Sequence, residues 1–266
     1  MTGYPRIASL AFLALVAGFI AIPLIVVAAA SLNGAMRMDF PPVHPSLHWY
    51  GSFFRDRGWV ASFRTSILIA TSASLLSVCA ALPVCHAIWK YRSRTVIVMN
   101  ATGLVSIFVP TVILALVFMT FWSVIGYSGH LAGVIISEAT VSTALPLIQI
   151  NLGFLSVRAE HVEAAQTMGA RPGDINRTVL LPILLPYLLS AFVFVFISCL
   201  NEYIIAYMVA GFSVETLPIR VFRSLRMGFQ PTMCVGAVLY VLTGTAAFGL
   251  VGLVADLPKL LGGRSS

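Results

Sequence analysis

Two groups of polar residues carry the chemistry of this sequence. The first is a set of carboxylates in or beside long apolar runs. Glu138 lies within Ile136-Ser137-Glu138-Ala139-Thr140, and Asn201-Glu202-Tyr203 closes another run, with Tyr207 four residues on. A charge at the centre of a bilayer costs about 2.5–3.5 kcal/mol on insertion scales, so such a residue tends to be kept for function. Carboxylates with tyrosine rings suit a cation, through charge pairing and through the ring faces. Plainer readings stand beside this one. Glu138 can pair with an arginine or with another subunit, Glu202 can sit in water at an outer interface, and Tyr203 and Tyr207 can be interfacial belt aromatics.

The second group is the segment from Ser156 to Pro182. Ser156 is a suitable N-cap, good helix formers follow as far as Met168, and Gly169 is suited to the left-handed residue that ends a helix. Pro172 can open a second helix at its first turn. The expectation is a short helix, a glycine turn and a further helix leading into an apolar run. Small residues at Ala164 and Ala165 permit close approach to a partner, in the manner of a helix laid in a groove. Glu163 offers that partner a charge-assisted hydrogen bond. The competing reading is a helix lying on the membrane, which calls for a strong Lys/Arg face and a large apolar face. This segment has Glu160, Glu163 and few large apolar residues.

Other chemistries find no support. His44, His48, His86, His130 and His161 form no H-E-x-x-H or similar spacing, and no G-x-x-x-x-G-K-[ST] phosphate loop occurs. An enzyme is not expected, and ATP and Mg are not expected to bind this chain. Cys79, Cys85, Cys199 and Cys234 have no metal spacing. Cys79 and Cys85 read as small packing residues, and a Cys199–Cys234 bridge is conceivable.

The elements that position these residues follow from composition. Of the 266 residues 59% are hydrophobic and 9% charged, against roughly 45–50% and 25% in soluble domains. That excess excludes a soluble enzyme, a disordered chain and a secreted disulfide scaffold. The apolar runs are unbroken rather than alternating, which excludes a β-barrel. A helical span needs about 20 apolar residues, and six runs qualify, near residues 7–30, 64–87, 95–122, 131–151, 180–200 and 232–256. The fold class is all-α membrane protein, read as one domain over residues 1–266. Ala28-Ala29-Ala30-Ser31 resembles a signal cleavage site, but the run before it exceeds the 7–15 residues of a signal core, so an uncleaved span is expected. With the N-terminus inside, the inner side holds Arg6, Lys90, Arg92, Arg94, Arg158, Arg171, Arg177, Lys259 and Arg264. The outer side holds Arg37, Arg55, Arg57, Arg64, Arg220, Arg223 and Arg226. Nine against seven, with the tight Lys90–Arg94 cluster, favours cytoplasmic termini. The net charge of +7 then reflects topology, not nucleic acid. Residues 32–62 and 201–231 are outer segments, and residues 152–179 form the longest inner loop.

Glu163-Ala164-Ala165, three residues, Gly169, nine residues and Val179-Leu180-Leu181-Pro182 resemble the EAA motif of permease subunits of type I ABC importers. The spacing matches throughout, with Val179 where isoleucine is common. The resemblance implies that the loop is a coupling helix seated on a cytoplasmic ATPase, with Glu163, Ala164, Ala165, Gly169, Arg171, Leu181 and Pro182 in that role. It also implies its partners: a dimer of ATP-binding subunits that hold ATP and Mg, a second, homologous permease subunit and an extracytoplasmic solute-binding protein. The setting implied is the bacterial inner membrane, with lipid around the chain. Cys199-Leu200-Asn201-Glu202-Tyr203, Val209-Ala210-Gly211 and the stretch from Glu215 to Phe222 are most similar to the spermidine/putrescine branch. That branch commonly has paired acids where Asn201-Glu202 stand, and histidine is common in the family where Glu138 stands. The implied solute is a polyamine or similar amine-bearing cation, with Glu138, Asn201, Glu202, Tyr203 and Tyr207 along its pathway. An opine, phosphonate or metal ion is the alternative within the class, and a stand-alone secondary transporter the alternative outside it.

Overall fold

In a computed structural model the chain is helical, with no strand among the described residues, which are 4–36, 40–42, 44–91 and 93–254. Arg37, Arg92, Lys259 and Arg264, which entered the orientation argument, and the end of the last expected span, at 255–256, lie outside them. The helices are α1 Tyr4–Ser31, α2 His48–Arg55, α3 Arg57–Tyr91, α4 Arg94–Val105, α5 Thr111–Val124, α6 Leu131–Ser142 and α7 Ala144–Leu155. They continue as α8 Ala159–Thr167, α9 Pro172–Ile175, a π-helical turn Asn176–Leu180, α10 Leu181–Leu200, α11 Ile204–Ala210, α12 Leu217–Met227 and α13 Pro231–Val254.

Four of these helical stretches are long and apolar enough to cross a membrane, and six are if each of two bent pairs counts as one span. The bent pairs are where sequence and structure differ most. The third apolar run is α4 and α5, turned by 109° at a break, and the fourth is α6 and α7, bent by 47°. Proline accounts for both. Pro110 stands just before α5 at ψ 133°, outside the helical region. Pro146 has no N–H to give the carbonyl of Ser142, where α6 ends. The second run is longer than its apolar core suggests, because Asp56 Oδ1 accepts the N–H groups of Gly58 (2.7 Å) and Trp59 (3.3 Å) and so starts α3 early. The fifth is preceded by the π-helical turn, which absorbs the amide missing at Pro182.

The described residues fall into two compact units, Met1–Phe63 with Arg220–Thr243, and Arg64–Ile219 with Gly244–Ser266. In the first, Phe53 and Trp59 are buried with ring centroids 5.6 Å apart. Arg220 lies over the Trp59 ring at 4.9 Å and reaches Asp56 at 3.4 Å, which ties α12 to the α2–α3 elbow. In the second, one core gathers Ile69, Trp122, Val134, Ile205 and Ile219. Another gathers Ala81, Cys85, Leu147, Phe154 and Leu184. Apolar side chains such as Phe19 of α1 and Phe108 remain exposed, as expected of a surface that meets lipid or other subunits. All four cysteines are free: Cys85, Cys199 and Cys234 are buried and Cys79 is exposed. The conceivable Cys199–Cys234 bridge is therefore absent, and Cys79 faces outward rather than packing.

Candidate functional site

Three helix breaks meet at one cavity inside the second unit. It has a volume of about 230 Å³. Ser106 and Thr111 line it from the α4–α5 break, Ser142 and Ala144 from the α6–α7 break, and Ser198, Cys199 and Glu202 from the end of α10. Non-helical backbone at membrane depth is tolerated where it lines a polar cavity or is buried in protein, so these interruptions and the cavity are one feature.

Glu138 lines this cavity from α6 and is only 2% exposed. The Cys199 thiol lines the same cavity and lies 3.7 Å from the Ser142 hydroxyl. The Glu138 carboxyl oxygen Oε2 is buried and has no hydrogen-bond partner among the described residues. Leaving a buried polar group unpartnered costs about 1–3 kcal/mol, so the position is held by something other than folding stability. The neighbouring Ser137 is fully committed: it donates to Gly133 O (2.7 Å) and accepts from Trp122 Nε1 (2.8 Å).

Glu202 lines the same cavity and is half-buried. Its Oε1 accepts the first two amides of α11, Ile204 N at 2.7 Å and Ile205 N at 3.0 Å. The helix restarts after Asn201 because this carboxylate satisfies the orphan donors of its first turn. The structure thus brings Glu138 and Glu202, 64 residues apart in sequence, to one space. It does not bring the other expected residues there. Asn201 Nδ2 turns back to Ile197 O at 2.8 Å. Tyr203 and Tyr207 stack on each other, with centroids 5.3 Å apart and planes 18° apart, and line no part of this cavity. Sequence reasoning passed over Ser106, Thr111, Ser142, Ser198 and Cys199. The signal available for them was the prolines at 110 and 146, which mark breaks.

The loop between α7 and α10 forms the second site. α8 ends in a Schellman motif: Gly169 at φ +81° donates to Gln166 O (2.9 Å), and Ala170 donates to Ala165 O (3.0 Å). Arg171 N donates to Asp174 Oδ2 at 3.2 Å and starts α9 at Pro172. Ser156 does not cap α8. Its hydroxyl donates to Gly153 O at 2.7 Å and closes α7, and α8 begins after Arg158. On α8, Val162 and Ala165 turn inward, and Ala165 is 6% exposed. Glu160, Glu163, Ala164 and Thr167 share the outward face at i, i+3, i+4 and i+7. Of the two alanines only Ala164 is open to a partner. Leu181 and Pro182, exposed, begin α10.

Comparison with known proteins identifies the family and the fold. Residues 87–257 match the family described as binding-protein-dependent transport system inner membrane component. The spermidine/putrescine transport system permease protein PotC of Haemophilus influenzae is 23% identical over 92% of this chain and 95% of its own. The putrescine transport system permease protein PotI of Escherichia coli is 28% identical over 79% of this chain and 76% of its own. Among solved structures, a bacterial ABC transporter involved in the import of the acidic polysaccharide alginate superposes with a TM-score of 0.71. It is 18% identical and covers 95% of this chain and 98% of its own.

Proposed function

The chain belongs to the binding-protein-dependent transport system inner membrane component family, and from that premise we propose that it carries a polyamine or similar amine-bearing cation across the membrane. It is a permease subunit of an ABC importer and is not itself catalytic. ATP hydrolysis resides in a separate pair of subunits docked on the loop of residues 156–182, and solute arrives from an extracytoplasmic binding protein. A second permease subunit completes the pathway, and both termini of this chain are cytoplasmic.

One observation carries the choice of solute: the buried Glu138 carboxyl group, with an oxygen that has no partner among the described residues, shares a cavity with Glu202. A protonated amine supplies the donors such a group lacks. A phosphonate would meet two carboxylates there. The fold itself does not choose, since a neighbour of the same fold serves an acidic polysaccharide. The polyamine relatives point the same way as the cavity.

The exposed face of Glu163, Ala164 and Thr167 supports the docking role. Small side chains let a partner helix or cleft approach, and the carboxylate gives one directional contact. Leu181 and Pro182 connect that face to α10, whose far end carries Glu202. Movement of the loop therefore reaches the cavity through one continuous helix.

The test is uptake of labelled putrescine and spermidine by the reconstituted complex, with ATP and the binding protein each omitted in turn. Uptake that needs both, and that unlabelled diamine but not alkylphosphonate competes away, supports the reading. Uptake indifferent to ATP would return the chain to the stand-alone carriers.

A further inference from the structure

Near the loop end of the second unit, α3, α7, the π-helical turn and α10 enclose a cleft that the transport reading leaves unused. It has two arms. The larger, of about 470 Å³, is apolar and walled by Leu82, Pro83, Phe154, Leu181, Leu184 and Leu188. The smaller, of about 250 Å³, is lined by Trp89 and Lys90 and runs under α8, where Val162 and Gln166 face it. His86 and Asn176 belong to both arms, and Arg177 lines the larger one beside Asn176. Neither lining includes an acidic side chain among the described residues. Of the carboxylates nearby in sequence, Asp174 accepts the Arg171 amide, Glu160 pairs with Arg158 at 2.6 Å, and Glu163 lies on the exposed face of α8.

We propose that this cleft holds one acidic phospholipid per chain, with its phosphate at Lys90, Arg177 and Asn176 and an acyl chain along the leucines. Three features of the site require an amphiphile with an anionic head. The larger arm has the size and the apolar walls of a ligand site but few polar groups to orient a soluble ligand. Lys90 lines the smaller arm and Arg177 the larger one, next to Asn176, which belongs to both, so the cleft sets cations beside apolar walls. Trp89, stacked on Phe154 at 5.6 Å and on His86 at 6.0 Å, marks the depth of the lipid head groups, where tryptophan is enriched. Basic pockets between spans are a recurrent way to hold acidic head groups. Because Val162 and Gln166 of α8 line the smaller arm, the bound head group braces the inward face of the helix whose outward face meets the ATPase. The inference does not depend on which solute is carried.

The test uses the assembled importer purified in mild detergent, titrated with phosphatidylglycerol or phosphatidylcholine of equal chain length and read by native mass spectrometry. The expected result is one phosphatidylglycerol retained per copy of this chain, with phosphatidylcholine about tenfold weaker. The double variant Lys90→Gln/Arg177→Gln erases that preference, and Leu188→Trp lowers retention of both lipids. A phosphatidylglycerol with a photoreactive acyl chain labels the peptides around Leu82 and Leu188 in the unaltered complex, which decides the matter if a variant fails to assemble. Equal retention of the two lipids overturns the proposal, as does a preference unchanged in the double variant. So does labelling of the second permease subunit in place of these peptides.

Discussion

The α8 loop and the cavity at Glu138 handle their polar groups in opposite ways. In the loop every capping bond closes within five residues of chain: Gly169 to Gln166, Ala170 to Ala165, Arg171 to Asp174, and the Thr178 hydroxyl to Asp174 O at 2.7 Å. The loop holds its own shape and can move as a body against a partner. The cavity is assembled from residues between 106 and 205, and one carboxylate oxygen in it has no partner among the described residues. A site built that way depends on the packing of several helices, and it keeps hydrogen-bonding capacity for something that is not protein. The α8 loop is locally complete, whereas the cavity depends on distant parts of the chain.

Reversing the charge on the exposed face of α8 separates the two most strongly. Glu163→Arg should abolish productive docking, since mispairing a charge in a protein interface costs about 2–5 kcal/mol, or thirtyfold and more in association. The amount of folded permease should not change, because Glu163 is exposed. Co-purification of the ATPase and solute-stimulated ATP hydrolysis are the readouts, and normal values for both would remove α8 from coupling.

The cavity should answer differently. Glu138→Gln removes the acceptor with which a bound ammonium would form a charge-assisted hydrogen bond, worth about 1.5–3 kcal/mol or roughly ten- to a hundredfold in uptake. It should leave ATPase docking intact and leave the melting temperature equal or higher, because a buried unpaired carboxylate does not favour folding. Glu202→Gln should cost less, about fivefold in uptake, since Glu202 is only half-buried and its charge is partly screened by solvent. The amide oxygen can still accept from Ile204 and Ile205, so α11 should persist, and Glu202→Ala should lose stability as well as uptake. A Glu138→Gln protein that transports normally would leave the cavity without a solute.

Legibility followed the same division. The order of the loop's elements could be read from Gly169 and Pro172, because its contacts are local and local geometry is what residue type dictates. The apolar runs also announced themselves. The interruptions inside them did not, because Pro110 and Pro146 signal weakened helix without stating whether the chain bends or continues. The pairing of Glu138 with Glu202 is a tertiary fact, as is the turning away of Asn201, Tyr203 and Tyr207 from the cavity. Spacing along one helix could not reveal either. Ala165 was ambiguous for the same reason: which face of α8 points inward is set by Val162 packing on the core around Phe154.

Gly169 tests the self-sufficiency of the loop more gently. A side chain there meets no atom within 4 Å, so the cost of Gly169→Ala is only that of a left-handed backbone, about 1–2 kcal/mol. Coupled ATP hydrolysis should fall several-fold, and Gly169→Asn, which tolerates that conformation better, should recover part of it. Equal losses in the two variants would mean that the surface at Gly169, not its backbone, matters.

The smallest effect should come from Ser156, and it bears on where α8 begins. A serine that capped α8 would stabilise it by about 1 kcal/mol, and its loss would fray the first turn. The hydroxyl instead donates to Gly153 O at 2.7 Å, and that carbonyl also accepts the Ser156 amide at 3.1 Å. Ser156→Ala therefore leaves the carbonyl with a partner and should cost about 0.5 kcal/mol or less. Hydrogen exchange at His161 and Val162 should match the unaltered protein, while the amides closing α7 exchange slightly faster. Faster exchange confined to α8 would show that Ser156 belongs to the coupling helix after all. The boundary between the self-contained loop and the membrane helices would then lie at α7 rather than after Arg158.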